Sequence, residues 1–139
     1  MKLKASLITI FFLFLTIVIF STYHKGFGNL NKLELEIETS KDSYQHNTDI
    51  LFSVYLYNPN NHQVIYTQPN QISWWGLAED QDNTVVGEKN FIDIPWKILK
   101  SHERKLIFSE SITAYGLNIF KINCRYGTLT AQKEVFVYI

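Results

Sequence analysis

The sequence predicts an all-β protein, an antiparallel sandwich of about seven or eight short strands that follows one apolar N-terminal segment. Apolar and polar residues alternate from Leu33 onward, which is the period of half-buried strands. After Tyr23, no apolar pattern with the spacing of a helix continues for about ten residues, so almost no helix is expected there. The 139 residues are enough for one domain and a short appendage, because domains commonly contain about 100 to 150 residues.

The apolar segment, residues 5–23, contains no charged residue. A helix of about nineteen residues spans roughly 28 Å, which is close to the hydrocarbon thickness of a bilayer. We therefore expect residues 1–24 to be a membrane anchor or a cleaved signal peptide, and residues 25–32 to be a short linker. Lys2 and Lys4 precede the segment, so the positive-inside rule favours a C-terminal domain outside the cytoplasm. An uncleaved segment would make the protein single-pass in the cell membrane, and cleavage would make it secreted or periplasmic.

The two clearest strands are "LELEIET" and "DILFSVYLYN". Alternation in the first places leucine and isoleucine on one face and three glutamates on the other. The second has four apolar residues on one face: Ile50, Phe52, Val54 and Leu56. Its other face carries Tyr55 and Tyr57. Both segments are therefore predicted to cover a core with one face only.

The later segments "QVIYT", "ISWWGLAE", "TVVG", "RKLIFSESI", "LNIFKINCRYG" and "AQKEVFVYI" are rich in β-branched and aromatic residues and are separated by polar breaks. Between them, "EKNFIDIPWKILKSHE" is predicted to be a long crossing loop pinned by Phe91 and Trp96, because Pro95 argues against a central strand. Strands at intervals of about ten residues over 33–139 are typical of an immunoglobulin-like sandwich. A small barrel is the alternative.

The stretch "ISWWGLAEDQDNTVVG" combines adjacent tryptophans with acidic residues. Alternation places Trp74 and Trp75 on opposite faces of one strand, and we expect Trp75 to point outward. "EDQDN" is then the hairpin turn before the next strand. The sequence leaves open whether the outward ring is exposed or covered by the loop 88–99.

Charge and cysteine content exclude some classes of function. The formal net charge is zero, and the chain from Leu33 onward has more acidic than basic residues, so nucleic-acid binding is not expected. The single cysteine, Cys124, cannot form an intramolecular disulfide and is expected to be buried as a small apolar residue.

No group of residues has a pattern typical of catalysis or metal binding. The histidines lack the spacing of a metal-binding pair; they are His24, His46, His62 and His102. Asp80 and Asp82 begin like a calcium loop, but Val85 and Phe91 occupy the positions where that loop needs glycine and glutamate. A looser calcium site that includes Glu79 stays open. We expect no enzymatic activity, no cofactor and no resident metal.

Aromatic residues provide the candidate binding surface. Tyr55 and Tyr57 lie on the outer face of their strand, and Tyr66 and Trp75 would lie beside them if the strands pair in order. Exposed rings contribute large contact areas at low entropic cost, so a protein partner or a carbohydrate would bind there.

Four segments carry a resemblance to a known family. They are "LELEIETSKDSYQHNTDILFSVYLYNPNNHQVIY", "WWGLAEDQDNTVVG", "ILKSHERKLIFS" and "YGLNIFKINCRYG". Their order resembles bacterial immunoglobulin-like domains, including the intracellular proteinase inhibitor family, which have "y-x-x-g-e" and "L-x-p-G-e-s" turns. Here the corresponding turns, "QHNTD" and "KSHER", lack glycine. The resemblance implies a sandwich and, more distantly, inhibition of a proteinase, with no reactive residue carried over.

Together these features predict a membrane-tethered or exported, non-enzymatic protein-interaction module outside the cytoplasm. A proteinase-inhibitor-like domain is the first alternative, and a carbohydrate-binding module is the second. The partner, the ligand and the oligomeric state are not encoded in any recognisable motif.

Overall fold

The computed structural model describes residues 9–10, 12–13, 29–81, 84–91 and 96–139. Residues 9–10 and 12–13 are helical, and most of the expected anchor lies outside the described residues. Within the described residues, no helix is both long and apolar enough to cross a membrane.

In the described part of the chain, ten strands follow a 3-10 turn at Asn29–Lys32. They are β1 (Glu34–Thr39), β2 (Ser43–Gln45), β3 (Asp49–Tyr57), β4 (Val64–Thr67), β5 (Gln71–Ala78), β6 (Thr84–Asn90), β7 (Trp96–Leu99), β8 (Arg104–Thr113), β9 (Asn118–Tyr126) and β10 (Leu129–Tyr138). The all-β prediction is confirmed. The sequence-based count is too low because it missed β2, which lies within a turn-forming stretch, and β7, which lies in the expected crossing loop.

Two sheets and a two-stranded ribbon make up the architecture. The three-stranded sheet has the order β1-β3-β8, and the five-stranded sheet has the order β2-β10-β9-β5-β6. The ribbon pairs β4 with β7. All pairs are antiparallel except β2 with β10. This order corresponds to the immunoglobulin-like arrangement, in which the first, second and fifth main strands form one sheet and the others form the second.

Apolar residues from both sheets meet in the core. The buried face of β3 is the one that alternation predicts, with Ile50, Phe52, Val54 and Leu56 inaccessible to solvent. Phe52 and Phe108 of one sheet contact Trp74 of the other, with ring centroids 6.3 Å and 5.0 Å from the indole. The three rings therefore join the two sheets at the centre of the molecule.

The ribbon closes one end of the sandwich, which we call the basal end. β1 begins, β3 ends and β9 turns into β10 at this end, as the strand registers show. The inner face of the ribbon contributes three buried side chains to the core: Val64, Tyr66 and Leu99.

The expectation that Trp96 pins a crossing loop is wrong, because Trp96 begins β7 and is 52% exposed. Pro95 lies outside the described residues, and β7 is only a ribbon strand.

A buried asparagine fastens the ribbon to the end of β3. The Asn58 side chain donates hydrogen bonds to the carbonyls of His62 (2.9 Å), Leu99 (3.2 Å) and Lys100 (2.9 Å). Its Oδ1 accepts from the backbone N–H of Asn60 at 3.0 Å. Because Asn58 is fully buried, these bonds replace all contact with water.

The 3-10 turn joins the same end. Asn60 Nδ2 donates to the carbonyl of Lys32 at 3.0 Å, and β4 packs against the turn. Leu30 and Pro69 both pack closely over Gly127, where a Cβ atom would meet them. The chain therefore enters the domain at the basal end, beside the ribbon.

Two turns contain non-glycine residues in the left-handed conformation. Asn47 has a φ of 62° in "QHNTD", and His102 has a φ of 56° in "KSHER". These are the positions where the resembling turns carry glycine. Both turns therefore keep the backbone path of the pattern without its glycine, at the conformational cost of a Cβ atom at positive φ.

Candidate interaction surface

Trp75 lies on the outer face of the five-stranded sheet, on β5, which is one strand from the sheet edge. Its partners across the neighbouring strands are Val86 on β6 and Asn123 on β9. Val86 is 68% exposed, and Leu77, two residues along β5, is also exposed. These three apolar side chains, Trp75, Leu77 and Val86, form a patch that we call the outer patch.

Polar side chains border the outer patch on the side of β9 and β10. A shallow groove of about 340 Å³ runs beside the indole and is lined in part by Asn123, Arg125, Thr130 and Gln132. Amide, hydroxyl and guanidinium groups therefore lie next to the half-buried ring. An apolar centre with a polar rim is the usual composition of a protein-binding surface.

Local sequence explains why one tryptophan is buried and its neighbour is not. Successive side chains of a strand point to opposite faces, so Trp74 enters the core and Trp75 points outward, as predicted. Gly87 is paired with Trp74, and a Cβ atom at Gly87 would collide with the indole of Trp74. The absent side chain therefore leaves room for the larger ring.

Tyr55 and Tyr57 lie on the other side of the molecule. They belong to β3, whose neighbours are β1 and β8, so they face outward from the three-stranded sheet. The guanidinium carbon of Arg104 stands 3.5 Å from the centroid of the Tyr55 ring. This face of Tyr55 is therefore covered by a cation-π contact.

Arg104 is itself held by two glutamates. Its Nε and Nη2 atoms donate to Glu36 at 2.6 Å and to Glu38 at 2.8 Å. These hydrogen bonds, first the one to Glu36 and then the one to Glu38, raise the pKa of Arg104 above its ordinary value. The outward glutamates of β1 thus position the arginine that covers Tyr55.

Tyr66 is buried in the core. It is 1% exposed on the inner face of the ribbon, and burial raises its pKa to about 12. Because β3 pairs with β1 and β8 rather than with β4, the four aromatic residues of the sequence-based surface do not lie side by side. The structure places two on one outer face, one on the opposite outer face and one inside, so they do not form a single stripe.

The stretch 88–99, whose position relative to Trp75 the sequence leaves open, is divided among other elements. Residues 88–90 belong to β6, Phe91 packs edge-on against Tyr126, and Trp96–Leu99 forms β7 in the ribbon. Residues 92–95 lie outside the described residues. Of the described part of this stretch, β6 is the element that borders Trp75, and it does so edge to edge within the sheet.

Other residues singled out by their chemistry have structural contacts. Asp80 accepts hydrogen bonds from the backbone N–H of Leu117 at 3.1 Å and 3.2 Å, and Asp82 lies outside the described residues. His46 Nδ1 lies 2.9 Å from the carbonyl of Gly116, and His102 Nε2 lies 2.9 Å from Asn61 Oδ1.

Cys124 is fully buried, and this burial raises the pKa of its thiol to about 12. The structure confirms the expectation that it is a core residue. Since the thiolate is the reactive form, this environment keeps the cysteine unreactive at neutral pH.

Several residues of the surface were missed in the sequence. Val86 and Leu77 are inconspicuous aliphatic residues, and only the pairing of β5 with β6 brings them beside Trp75. Asn123 and Gln132 come from strands that are distant in sequence. The sequence signal for these residues is the alternation within β9 and β10. It predicts that they point outward, but it does not predict which residues of other strands lie beside them.

Comparisons with known proteins give no family for this chain. No family model matches it, and no curated protein matches it. Among solved structures it is similar to the CARDB domain of a Pyrococcus furiosus protein, at 16% identity and a TM-score of 0.49 over 76% of this chain and 87% of that one. The superoxide reductase of Ignicoccus hospitalis is similar at 12% identity and a TM-score of 0.49, over 80% and 87%. The sporulation control protein Spo0M of Bacillus subtilis has 10% identity and a TM-score of 0.46, over 78% and 50%. Since these TM-scores are below 0.5, we take the fold from the strand order of this chain alone.

Proposed function

We propose that this protein is a membrane-tethered or exported, non-enzymatic interaction module outside the cytoplasm, and that it binds a protein partner through the outer patch. The observation that carries the proposal is the position of Trp75 between exposed Val86 and Leu77 on one regular sheet face. Tryptophan is enriched among residues that dominate binding energy, and aliphatic neighbours exclude water from such a centre.

The described polar residues support a binding role more than a catalytic one. The histidines His46 and His102 contact a carbonyl and an amide, and the one thiol is buried in protonated form. A nucleophile would need a base within hydrogen-bond reach. The location outside the cytoplasm is supported by the apolar segment 5–23 and the two lysines before it.

Site-specific photocrosslinking tests the outer patch. A photoreactive amino acid at Val86 should yield one protein adduct in cells, and Trp75→Ala should abolish this adduct. The matched control is the same photoreactive residue at Leu51, an exposed strand position on the three-stranded sheet. Equal adducts from both positions, or an adduct that survives Trp75→Ala, would count against the patch.

The tether has a separate test. The intact mass of the native protein, measured in the membrane fraction, should equal that of the unprocessed chain if residues 5–23 anchor it. A shorter soluble protein that starts after this segment would support export with cleavage instead.

Carbohydrate binding is the second candidate function, favoured by the groove beside Trp75. A half-buried indole flanked by Asn123, Arg125 and Gln132 offers a stacking face with hydrogen-bonding groups at its edge. A glycan that shifts the tryptophan fluorescence of the protein should lose this effect in Trp75→Ala and keep it in Tyr55→Ala. No shift across a broad glycan array would remove this candidate.

The proteinase-inhibitor alternative rests on the sequence resemblance. It predicts stoichiometric inhibition of at least one proteinase by the purified protein. The absence of inhibition across a broad panel of proteinase classes would exclude it.

A further inference from the structure

The outer face of the ribbon is an exposed apolar surface that is separate from the outer patch. In the β4–β7 register, Ile65 is paired with Ile98 and Thr67 with Trp96, so these four side chains share one face. Trp96 is 52% exposed, and both isoleucines are exposed. Their neighbours in sequence, including Tyr66 and Leu99, fill the core from the other face. We call the exposed side the basal face; its residues are Ile65, Thr67, Trp96 and Ile98.

The chain enters the domain beside this face. The 3-10 turn at Asn29–Lys32 is fixed to the ribbon region through Asn60 and through contact with β4. Only residues 24–28 separate it from the apolar segment 5–23, and five extended residues span at most about 18 Å. A bilayer that holds residues 5–23 would therefore lie within reach of the basal end.

The charges of the domain also favour an orientation with the basal end towards the membrane. At the basal end, the lysines Lys32, Lys89, Lys100 and Lys105 outnumber the acidic residues Glu34, Glu88 and Glu103. The opposite end has mainly acidic residues, at Asp42, Asp49, Glu79 and Asp80, with Lys41. Anionic lipid attracts basic residues that lie near its surface, and tryptophan is enriched at the membrane interface.

We propose that the basal face docks on the lipid surface, with Trp96 in the interfacial layer, so that the domain has a fixed orientation on the membrane. The proposal rests on the tether in the proposed function. Docking would direct the acidic end away from the membrane and would leave the outer patch at the side of the domain, accessible to a partner.

Tryptophan quenching tests the docking directly. The full chain has three tryptophans, Trp74, Trp75 and Trp96, and none lies in the apolar segment. The chain is reconstituted into vesicles of phosphatidylglycerol and phosphatidylcholine, and the phosphatidylcholine carries either brominated or ordinary acyl chains. Bromine quenches only an indole that lies close to the acyl region. We expect brominated lipid to quench the wild type, Trp96→Phe to lose most of this quenching, and Trp75→Phe to retain it.

A second pair of variants keeps Trp96 and changes its surroundings. Ile65→Ser combined with Ile98→Ser makes the basal face polar without touching the core, and we expect most of the quenching to be lost. Val86→Ser is the matched control, because it removes an exposed aliphatic side chain from the outer patch. Brominated lipid should quench the Val86→Ser variant as strongly as the wild type.

Flotation of the vesicles separates the docking proposal from the tether on which it rests. Protein that floats with the lipid but shows equal quenching in the wild type and Trp96→Phe would leave the tether standing and overturn docking. Protein that does not float would overturn the tether and the docking with it. Flotation together with quenching that depends on Trp96 supports both.

Discussion

At the scale of single residues, backbone conformation explains two departures from an expected turn pattern. Asn47 and His102 adopt positive φ angles where the resembling turns have glycine. Asparagine and histidine are both enriched among the non-glycine residues of the left-handed region, but each retains the steric cost of a Cβ atom there. The His102 position therefore carries backbone strain that glycine would avoid.

Two substitutions at His102 measure this strain. His102→Ala and His102→Gly both remove the imidazole and its contact with Asn61, and they differ only in the Cβ atom. We expect the glycine variant to have the higher free energy of unfolding, by about 1 kcal/mol, in urea denaturation. Equal stabilities would show that the turn holds a side chain at this φ without strain.

A second residue-scale prediction concerns Gly87. A methyl group there would collide with the indole of Trp74, so Gly87→Ala should lower the free energy of unfolding by about 1 to 3 kcal/mol. Replacing Trp74 with phenylalanine should remove most of this additional penalty, because the smaller ring leaves space. Thermal denaturation of the two single variants and the double variant gives the coupling; additive effects would contradict the proposed contact.

At the scale of elements, a buried polar side chain and three core residues hold the ribbon in addition to its own ladder. β4 and β7 pair over four residues each, and a two-stranded ribbon of this length is marginal alone. Asn58 supplies donors to three carbonyls around it, and the ribbon adds Val64, Tyr66 and Leu99 to the core. The polar contacts and the buried side chains together hold the ribbon over the end of the sandwich.

Asn58→Ala should therefore loosen the ribbon selectively. The loss removes a side-chain donor from the buried carbonyl of Leu99 and from two partly buried carbonyls, and an unsatisfied buried group costs about 1 to 3 kcal/mol. Hydrogen exchange should show the largest loss of protection in β4 and β7, with a smaller change in β9 and β10. Gln63→Ala, an exposed control just before β4, should leave the exchange pattern close to that of the wild type. Uniform loss of protection throughout the domain would argue against a local role.

At the scale of the whole molecule, the core contains ionisable groups that must stay neutral. Burial raises the pKa of Cys124 from 9.0 to about 12 and that of Tyr66 from 10.0 to about 12. Burial also raises the pKa of Tyr126. These groups lie in the shared core, so their protonation is linked to global unfolding.

Stability should consequently fall in alkaline solution. Their folded-state pKa values are raised, so the stabilisation is complete below the unfolded values and decreases as pH rises from about 9 towards 12. Between pH 9 and 10 the thiol ionises in the unfolded chain before the tyrosines do. Cys124→Ala should therefore remove most of the decline in that interval and a smaller share of it at higher pH, as measured by urea denaturation at a series of pH values. An unchanged slope would show that the thiol ionises equally in both states.

Local sequence is enough to predict where most strands lie and which way many of their side chains point. Alternation correctly separated the buried and outward faces of β3 and divided Trp74 from Trp75, because the direction of a side chain in a strand depends only on local backbone geometry. The tertiary structure alone decided which strands are neighbours. Pairing depends on contacts between distant segments, so it moved Tyr55 and Trp75 to opposite outer faces, brought Val86 beside Trp75 and turned an expected loop into the ribbon. Of the candidate surface, the sequence therefore predicted the outward tryptophan, Trp75. The residues around it could not be predicted, because the pairing of β5, β6 and β9 brings them together.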